Sequence, residues 1–378
     1  MNLYPHQQRF LDKNPDKALL AWEGGTGKTI GGAIWLRAGR DADALVVAPK
    51  RVVKKWQAEL TKWGTKATVV TTDGFKKLPI KPWSAMVVDE ADEFASPLFI
   101  KGRSKRAECL YKYVQAYPDM PILLASATPI RSSPWNLHTL LCYIGQYRDW
   151  KKWREFFYSL ERRPYLPRPA WLVKDDWRHK IRPILEKYAD IVLLRDCVGY
   201  LPPFTEEVIM IKTSPFNPIG VEPTKLVSAE HRHEQQNKLG DILAIGRGFR
   251  KVLVVAHFVE QVESLAKELS KDRETFMVHG GVKDQEALLK RANEVDDCFL
   301  VVQASLGAGF DADTFSCVVF ASMSYKVRDF VQMKFRVRRI HNLHPVKYVF
   351  LHGGRRDKQV YKTIQLGKDF VPSEWIKK

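Results

Sequence analysis

Ala21-Trp-Glu-Gly-Gly-Thr-Gly-Lys-Thr29 follows a short apolar run, Ala18–Ala21, and leads into Thr29-Ile-Gly-Gly-Ala-Ile-Trp-Leu36, which reads as a helix. The order is strand, glycine-rich loop, helix. Gly24, Gly25 and Gly27 let the backbone around Thr26 turn its N–H groups inward, Lys28 can reach outer phosphates, and the Thr29 hydroxyl can ligate Mg²⁺. Position 22 is Trp where the strict G-x-x-x-x-G-K-[ST] pattern has its first Gly, so by itself the loop is also compatible with a surface turn rich in Gly and Thr.

Outward from this loop the alternation of strand and helix continues. Ala44-Leu-Val-Val-Ala-Pro49 is a β-rich run closed by proline, and apolar residues at 52, 53, 56, 60 and 63 have helical spacing. Lys50 and Arg51 stand between them at the strand's end, where open parallel sheets present ligand-facing loops. Thr68-Val-Val-Thr-Thr72 is a further strand ending in the hydroxyls of Thr71 and Thr72. The apolar strand Ala85–Val88 delivers Asp89 and Glu90 to its C-terminal end. In a phosphate-loop ATPase the first acid holds Mg²⁺ and the second polarises the attacking water. Acids after a strand also cap helices. Apolar positions 107, 110, 111, 114 and 117 mark an amphipathic helix, and Pro121-Ile-Leu-Leu-Ala125 is a strand leading into Ser126-Ala-Thr-Pro129. Upstream, Pro5 opens a helix carrying Gln7, whose amide has both a donor and an acceptor for reading adenine, or is simply exposed on a first turn.

Residues 145–205 break this rhythm. Arg148, Trp150, Lys151, Lys152, Trp153, Arg154, Phe156, Phe157, Arg162, Arg163, Trp171, Trp177 and Arg178 interleave cations with rings, a pattern that binds nucleic acid or anchors a helical insertion to its own small core. Pro164, Pro167 and Pro169 predict a loop within it. Lys225–Ala244 reads as a polar helix. Strands follow at Lys251–Ala256, Glu274–Val278 and Cys298–Val302, with helices at Val259–Leu269 and Lys283–Ala292, a second α/β sheet without a phosphate loop.

The totals set bounds. A chain of 378 residues has room for about two domains. The 61 Lys and Arg against 43 Asp and Glu give a net charge of +18, which suits a polyanionic partner but also a merely basic soluble protein. The apolar runs are all shorter than a membrane span and Met-Asn-Leu-Tyr-Pro-His lacks a signal-peptide layout, so a cytoplasmic protein is the simplest reading. Cys109, Cys142, Cys197, Cys298 and Cys317 form no C-x-x-C and support neither a zinc site nor a disulfide framework.

Leu3-x-Pro5-x-Gln7, Glu23-Gly-Gly-Thr-Gly-Lys-Thr29, Val46-Val-Ala-Pro49, Asp89-Glu-Ala-Asp92 and Ser126-Ala-Thr-Pro129, in this order, resemble motifs Q, I, Ia, II and III of superfamily 2 helicases. Ala21-x-Glu23-x-Gly25-x-Gly27-Lys28-Thr29 is similar to the phosphate loop of Swi/Snf-like motors, which also lack the first Gly. Leu194–Pro203 and Glu206–Ile211 resemble the entry to the second lobe of those motors. Gln303-Ala-Ser-Leu-Gly-Ala-Gly-Phe-Asp311 looks like motif V, with Gly307 and Gly309 for close backbone approach and Asp311 placed to meet a ribose or a coupling residue. Gln332, Arg336 and Arg339 match the Q-x-x-x-R-x-x-R of motif VI, at i, i+4 and i+7 on one helical face, with His341 where the pattern usually has Gly.

The resemblance implies an α/β fold of two tandem RecA-like lobes with parallel sheets, residues 1–200 and 201–378, ATP and Mg²⁺ in the inter-lobe cleft, and a helical basic and aromatic insertion at about 145–200. It implies a nucleic-acid-dependent ATPase, a helicase or double-stranded DNA translocase of replication, recombination or repair, monomeric and of compact phage or prokaryotic type. The expected partner is DNA, duplex, forked or branched, in preference to RNA. Lys28, Asp89, Glu90, Arg336 and Arg339 would be catalytic, Thr29 and Asp89 would ligate Mg²⁺, and Gln7, Gly24, Gly25, Thr26, Gly27, Lys28, Thr29, Gly309 and Asp311 would hold the nucleotide. Ser126, Thr128 and Gln332 would couple the site to Lys50, Arg51, Thr71, Thr72, His257, Gln303 and Ser305 on nucleic acid. A motor subunit of a larger restriction or remodelling assembly, and an ATP-regulated nucleic-acid-binding module without unwinding, are the alternatives.

Overall fold

Short β-branched and aliphatic runs become the inner strands of two parallel sheets. The computed structural model describes residues 3–98, 104–131, 133–147, 149–162, 168–197, 201–222, 225–234, 238–306, 310–324, 326–339 and 342–367. The chain packs as two units, Met1–Cys197 and Val198–Lys368. Each is an α/β unit built on its own parallel sheet, as tandem RecA-like lobes require. Among the described residues no helix is long and apolar enough to cross a membrane.

In the first unit, β1 (Lys17–Trp22), β2 (Ala44–Ala48), β3 (Thr68–Thr71), β4 (Ala85–Asp89) and β5 (Ile122–Ala125) form the sheet. An antiparallel pair, β6 (Tyr158–Glu161) and β7 (Ala170–Val173), stands apart from it, and β8 (Ala189–Val192) rejoins it. The order is β3-β2-β4-β5-β1-β8, all parallel. Helices cover both faces, so β2, β4 and β5 are buried along their whole length and read as unbroken apolar runs. Alternate residues serve opposite faces: Leu19 and Ala21 pack with Leu110 and Tyr113, whereas Leu20 and Trp22 pack with Trp35 and Trp56.

The stretch 145–200 is not a purely helical insertion. It contains the Trp150–Phe157 and Trp177–Tyr188 helices, the β6–β7 hairpin and the edge strand β8, which pairs with β1 and completes the sheet. Its register aligns Leu19 with Ala189 and Trp22 with Val192. Trp153, Phe157 and Trp177 are buried and anchor the segment; full burial of such a side chain contributes about 2–3 kcal/mol. His138 sits edge-on to Trp135, Tyr147 and Trp153, and this burial pushes its imidazole down to about 4. Arg148, Arg163, Pro164 and Pro167 lie outside the described residues.

The second unit contains β9 (Phe204–Met210), β10 (Lys251–Ala256), β11 (Thr275–Val278), β12 (Cys298–Gln303), β13 (Cys317–Phe320) and β14 (Val346–His352), in the order β11-β12-β10-β13-β14-β9, again all parallel. The single helix expected at Lys225–Ala244 is two, Leu226–Glu234 and Leu239–Gly246. Lys238 stands at the start of the second. Its buried Nζ donates to Leu351 O at 3.0 Å, to Asp357 Oδ2 at 2.6 Å and to Ala321 O, an anchorage a solvent-facing helix residue would not have.

Candidate functional site

All strands of the first sheet run parallel, so their C-terminal ends share one edge. Asp89 is level with Ala125, and Ala125 with Leu20, which puts Trp22 two residues, about 7 Å, further along that edge. β4 and β1 are separated only by β5, so the strands that deliver the acidic turn and the glycine-rich loop to this edge are about 10 Å apart.

Trp22, where the strict pattern has Gly, is the last residue of β1, and its indole points into the core. It packs edge-on to Phe10 and His6, lies against Gly31, where an added Cβ would be 3.0 Å from the ring, and donates from Nε1 to Asp190 Oδ1 at 2.7 Å. The loop itself begins after it. Gly25 and Gly27 adopt φ of 86° and 81°, the left-handed region open to glycine, and a Cβ on Gly27 would collide with Gln7 Nε2. Thr26 Oγ1 donates to Glu23 O at 2.8 Å, closing the turn. Gly27 caps the Lys28–Arg37 helix, whose first turn carries no acid, and Thr29 is half-exposed there. Unpaired N–H groups and a positive dipole end at such a terminus favour an anion. Lys28 Nζ rests on two neutral carbonyls, Trp22 O at 2.8 Å and Glu23 O at 2.9 Å.

Gln7 serves the loop's own backbone. Its Nε2 donates to Gly27 O at 3.2 Å and its Oε1 accepts from Tyr4 N at 3.0 Å, which commits one N–H and one lone pair of a buried amide to the loop and the helix start. His6, which the sequence reading passed over, holds Thr26 O through Nε2 at 2.8 Å while its Nδ1 faces Cys197 Sγ at 3.3 Å. Burial lowers the His6 pKa and favours the neutral ring. Glu23 ties the loop to β8 and the turn beyond it: its N–H donates to Val192 O at 3.0 Å and its Oε2 accepts from Leu194 N at 2.8 Å.

Asp89 is buried, with Oδ2 accepting from Trp56 Nε1 at 2.8 Å and Oδ1 from Glu90 N at 2.9 Å. Each oxygen keeps a lone pair. Glu90 is held in the left-handed region at φ 50°, ψ 48°, a strained conformation of the kind that gathers at functional sites. Ser126 Oγ donates to Asp92 Oδ1 at 2.9 Å and accepts from Thr128 N at 3.0 Å, so the two motifs are joined directly. Arg131 Nε, also passed over, donates to Asp92 Oδ2 at 2.6 Å. The Thr128 hydroxyl is buried without a partner among the described residues.

In the second unit, Asp311 gathers the two motif VI arginines. Arg339 pairs with Asp311 Oδ1 and Arg336 Nη1 lies 3.8 Å from the same oxygen. Gln332 is buried. The expected common helical face does not extend to Arg339, because the helix is Val327–Val337. Its last-turn carbonyls take tertiary donors instead: Lys334 O from Tyr348 Oη at 3.0 Å, Arg336 O from Ala312 N at 3.0 Å and Val337 O from Asn342 Nδ2 at 3.0 Å. Gly307, Gly309 and His341 lie outside the described residues.

The residues expected on nucleic acid stand at strand ends but are unequally available. Lys50, Arg51 and Ser305 are exposed. The Thr71 hydroxyl accepts from Gly74 N at 2.8 Å as a cap, and Thr72 is buried. His257 N donates to Ser322 Oγ at 2.7 Å, and Gln303 Oε1 accepts from Gly280 N at 3.4 Å.

Strands β10–β13 and the arginine-bearing helix fall within one recognisable span. Residues 234–341 match the helicase conserved C-terminal domain. The match supports a helicase-type, nucleic-acid-dependent ATPase, and it includes Asp311, Gln332, Arg336 and Arg339 of the candidate site. The phosphate loop and Asp89 lie outside the matched span. No curated protein matches the chain.

Proposed function

We propose that this protein is an ATP-driven motor on DNA, with a superfamily 2 core of Swi/Snf-like type, acting as a helicase or duplex translocase in replication, recombination or repair. The observation that carries this reading is the left-handed Gly25–Gly27 loop at the end of β1, on the same sheet edge as the Asp89–Glu90 turn and one strand removed from it. The residues fit a nucleoside triphosphate: the loop turns on glycines, the helix start behind it carries no acid, and Asp89 has a lone pair left on each oxygen. Lys28, Thr29 and the loop N–H groups would hold the phosphates and Asp89 with Thr29 the Mg²⁺; bound Mg²⁺–ATP supplies the phosphoryl bond whose hydrolysis drives movement.

Glu90 is the base that takes a proton from water at its carboxylate. Trp56 and the Glu90 N–H orient the Asp89 carboxylate, and Asp92 with Ser126 and Arg131 ties this turn to the end of β5. Arg336 and Arg339, gathered by Asp311 in the second unit, are the cations that hydrolysis by such a motor would require to stabilise the transferring phosphoryl group. Lys50, Arg51, His257, Gln303 and Ser305 follow the backbone of the nucleic acid, in keeping with the net charge of +18.

ATP hydrolysis measured with single-stranded, duplex, forked and four-way DNA and with RNA tests this reading. Stimulation by DNA above RNA is the expected result. Absence of turnover with every nucleic acid would overturn it.

A further inference from the structure

The β6–β7 hairpin carries apolar residues that no core covers. Trp153, Phe157, Tyr158 and Trp177 belong to the core of the first unit, yet Trp171 is 38% exposed, Val173 40% and Leu160 57%. Leu160 pairs with Trp171 across the hairpin and Tyr158 with Val173, so Leu160, Trp171 and Val173 share one face. Arg154, from the Trp150–Phe157 helix, lies 4.1 Å from the Trp171 ring and 5.1 Å from the Trp150 ring. Among the described residues no carboxylate pairs with Arg154, and its Nε is buried without a hydrogen-bond partner. A guanidinium held by two indoles without a counter-ion keeps its outer N–H groups for an incoming acceptor.

We propose that this face binds a single-stranded stretch of nucleic acid, with Arg154 on a phosphate and the Trp171 ring against a base. The site rests on the nucleic-acid motor reading and adds to it a grip outside both parallel sheets. Charge decides the occupant. Lys151 and Lys152 are exposed on the same helix, and Arg162 and Arg168 are exposed beyond the ends of the two strands. A protein-docking face has few charges at its centre, whereas cations set among exposed rings are what a strand with phosphates and unstacked bases requires.

Fluorescence anisotropy of the full chain without nucleotide, on labelled single-stranded, forked and blunt duplex DNA, tests this. Trp171→Ala and Arg154→Ala are expected to weaken single-strand and fork binding about five- to a hundred-fold and blunt-duplex binding no more than about two-fold. Trp171→Phe should restore most of the loss, and Arg154→Ala should lower the salt dependence by about one released counterion. Thermal melting of each variant shows that it folds. Wild-type binding to single strands with unchanged affinity in both alanine variants would overturn this site alone. A Trp171→Ala change in oligomeric mass with DNA binding intact would reassign the face to protein docking. Failure of the wild type to bind any nucleic acid would remove the motor reading and this site with it.

Discussion

The two units carry the same kind of parallel six-stranded sheet and differ at the turn after an inner strand. β1 leads into a loop that turns twice through left-handed glycines and caps its helix with Gly27 at φ 81°. β10 passes through His257 directly into the Val259–Leu269 helix, capped by Phe258 in extended conformation at φ −91°, ψ 139°. The first helix has no acid in its opening turn, and the second has Glu260 there. An acid at a helix N-terminus already complements the dipole and repels a phosphate. In the proposed function phosphate binding would belong to the loop and the first helical turn, and the second unit, which lacks both, instead brings Arg336 and Arg339 beside Asp311.

The largest expected effects fall on the side with the loop. Lys28→Ala and Glu90→Gln should each lower steady-state hydrolysis by about 10²–10⁴-fold, while Glu260→Ala, at the matching turn of the second unit, should change it less than about two-fold. A coupled-enzyme assay separates them, and a large loss from Glu260→Ala would break the comparison. Next, each unit has an ion pair with a fully buried carboxylate, and the two pairs should differ in stability cost. Lys238 and Asp357 are both buried, so Lys238→Ala should destabilise the second unit by about 3–5 kcal/mol. Arg131 opposite Asp92 is 35% exposed on its side chain, and Asp92→Ala should cost the first unit about 2–3 kcal/mol in urea unfolding.

A subtler effect is set by pH. The folded His138 pKa of about 4 lies below its unfolded value, so the unfolded chain binds more protons between the two. The stability this neutral imidazole preserves is complete above about pH 6.5 and is lost as pH falls towards 4, by about 2–3 kcal/mol at pH 4.5. His138→Phe should flatten that part of the urea-midpoint profile, and an unchanged slope would contradict the packing described for its ring. Smallest is Gly27→Ala, which keeps every functional side chain but places a Cβ at positive φ against Gln7; it should cost about 1–2 kcal/mol and weaken nucleotide binding, read by isothermal titration.

The inner strands were legible because a strand buried on both faces must be apolar throughout, as Ala44–Ala48 and Lys251–Ala256 nearly are. β8 was not, since Ala189-Asp-Ile-Val192 is short, half-buried and set in a basic, aromatic segment, and its Asp190 serves Trp22 and Arg9 from far along the chain. The role of Trp22 was hidden for a related reason: its partner Gly31 lies nine residues on, and only packing reveals that the missing glycine left the loop intact. The end of the arginine helix was misjudged because Tyr348, Ala312 and Asn342, which satisfy its carbonyls, come from other elements. His6 and Arg131 carry no motif signal that spacing alone would single out; contacts with Thr26 O and Asp92 identify them.

The central claim is that hydrolysis needs Arg336 and Arg339 as well as the phosphate loop. Single-turnover hydrolysis at saturating ATP and DNA, in wild type, Arg336→Ala and Arg339→Ala, tests it most directly. The account predicts that each variant binds nucleotide with unchanged affinity and hydrolyses it at least about 10³-fold more slowly. Wild-type rates in both variants would contradict it.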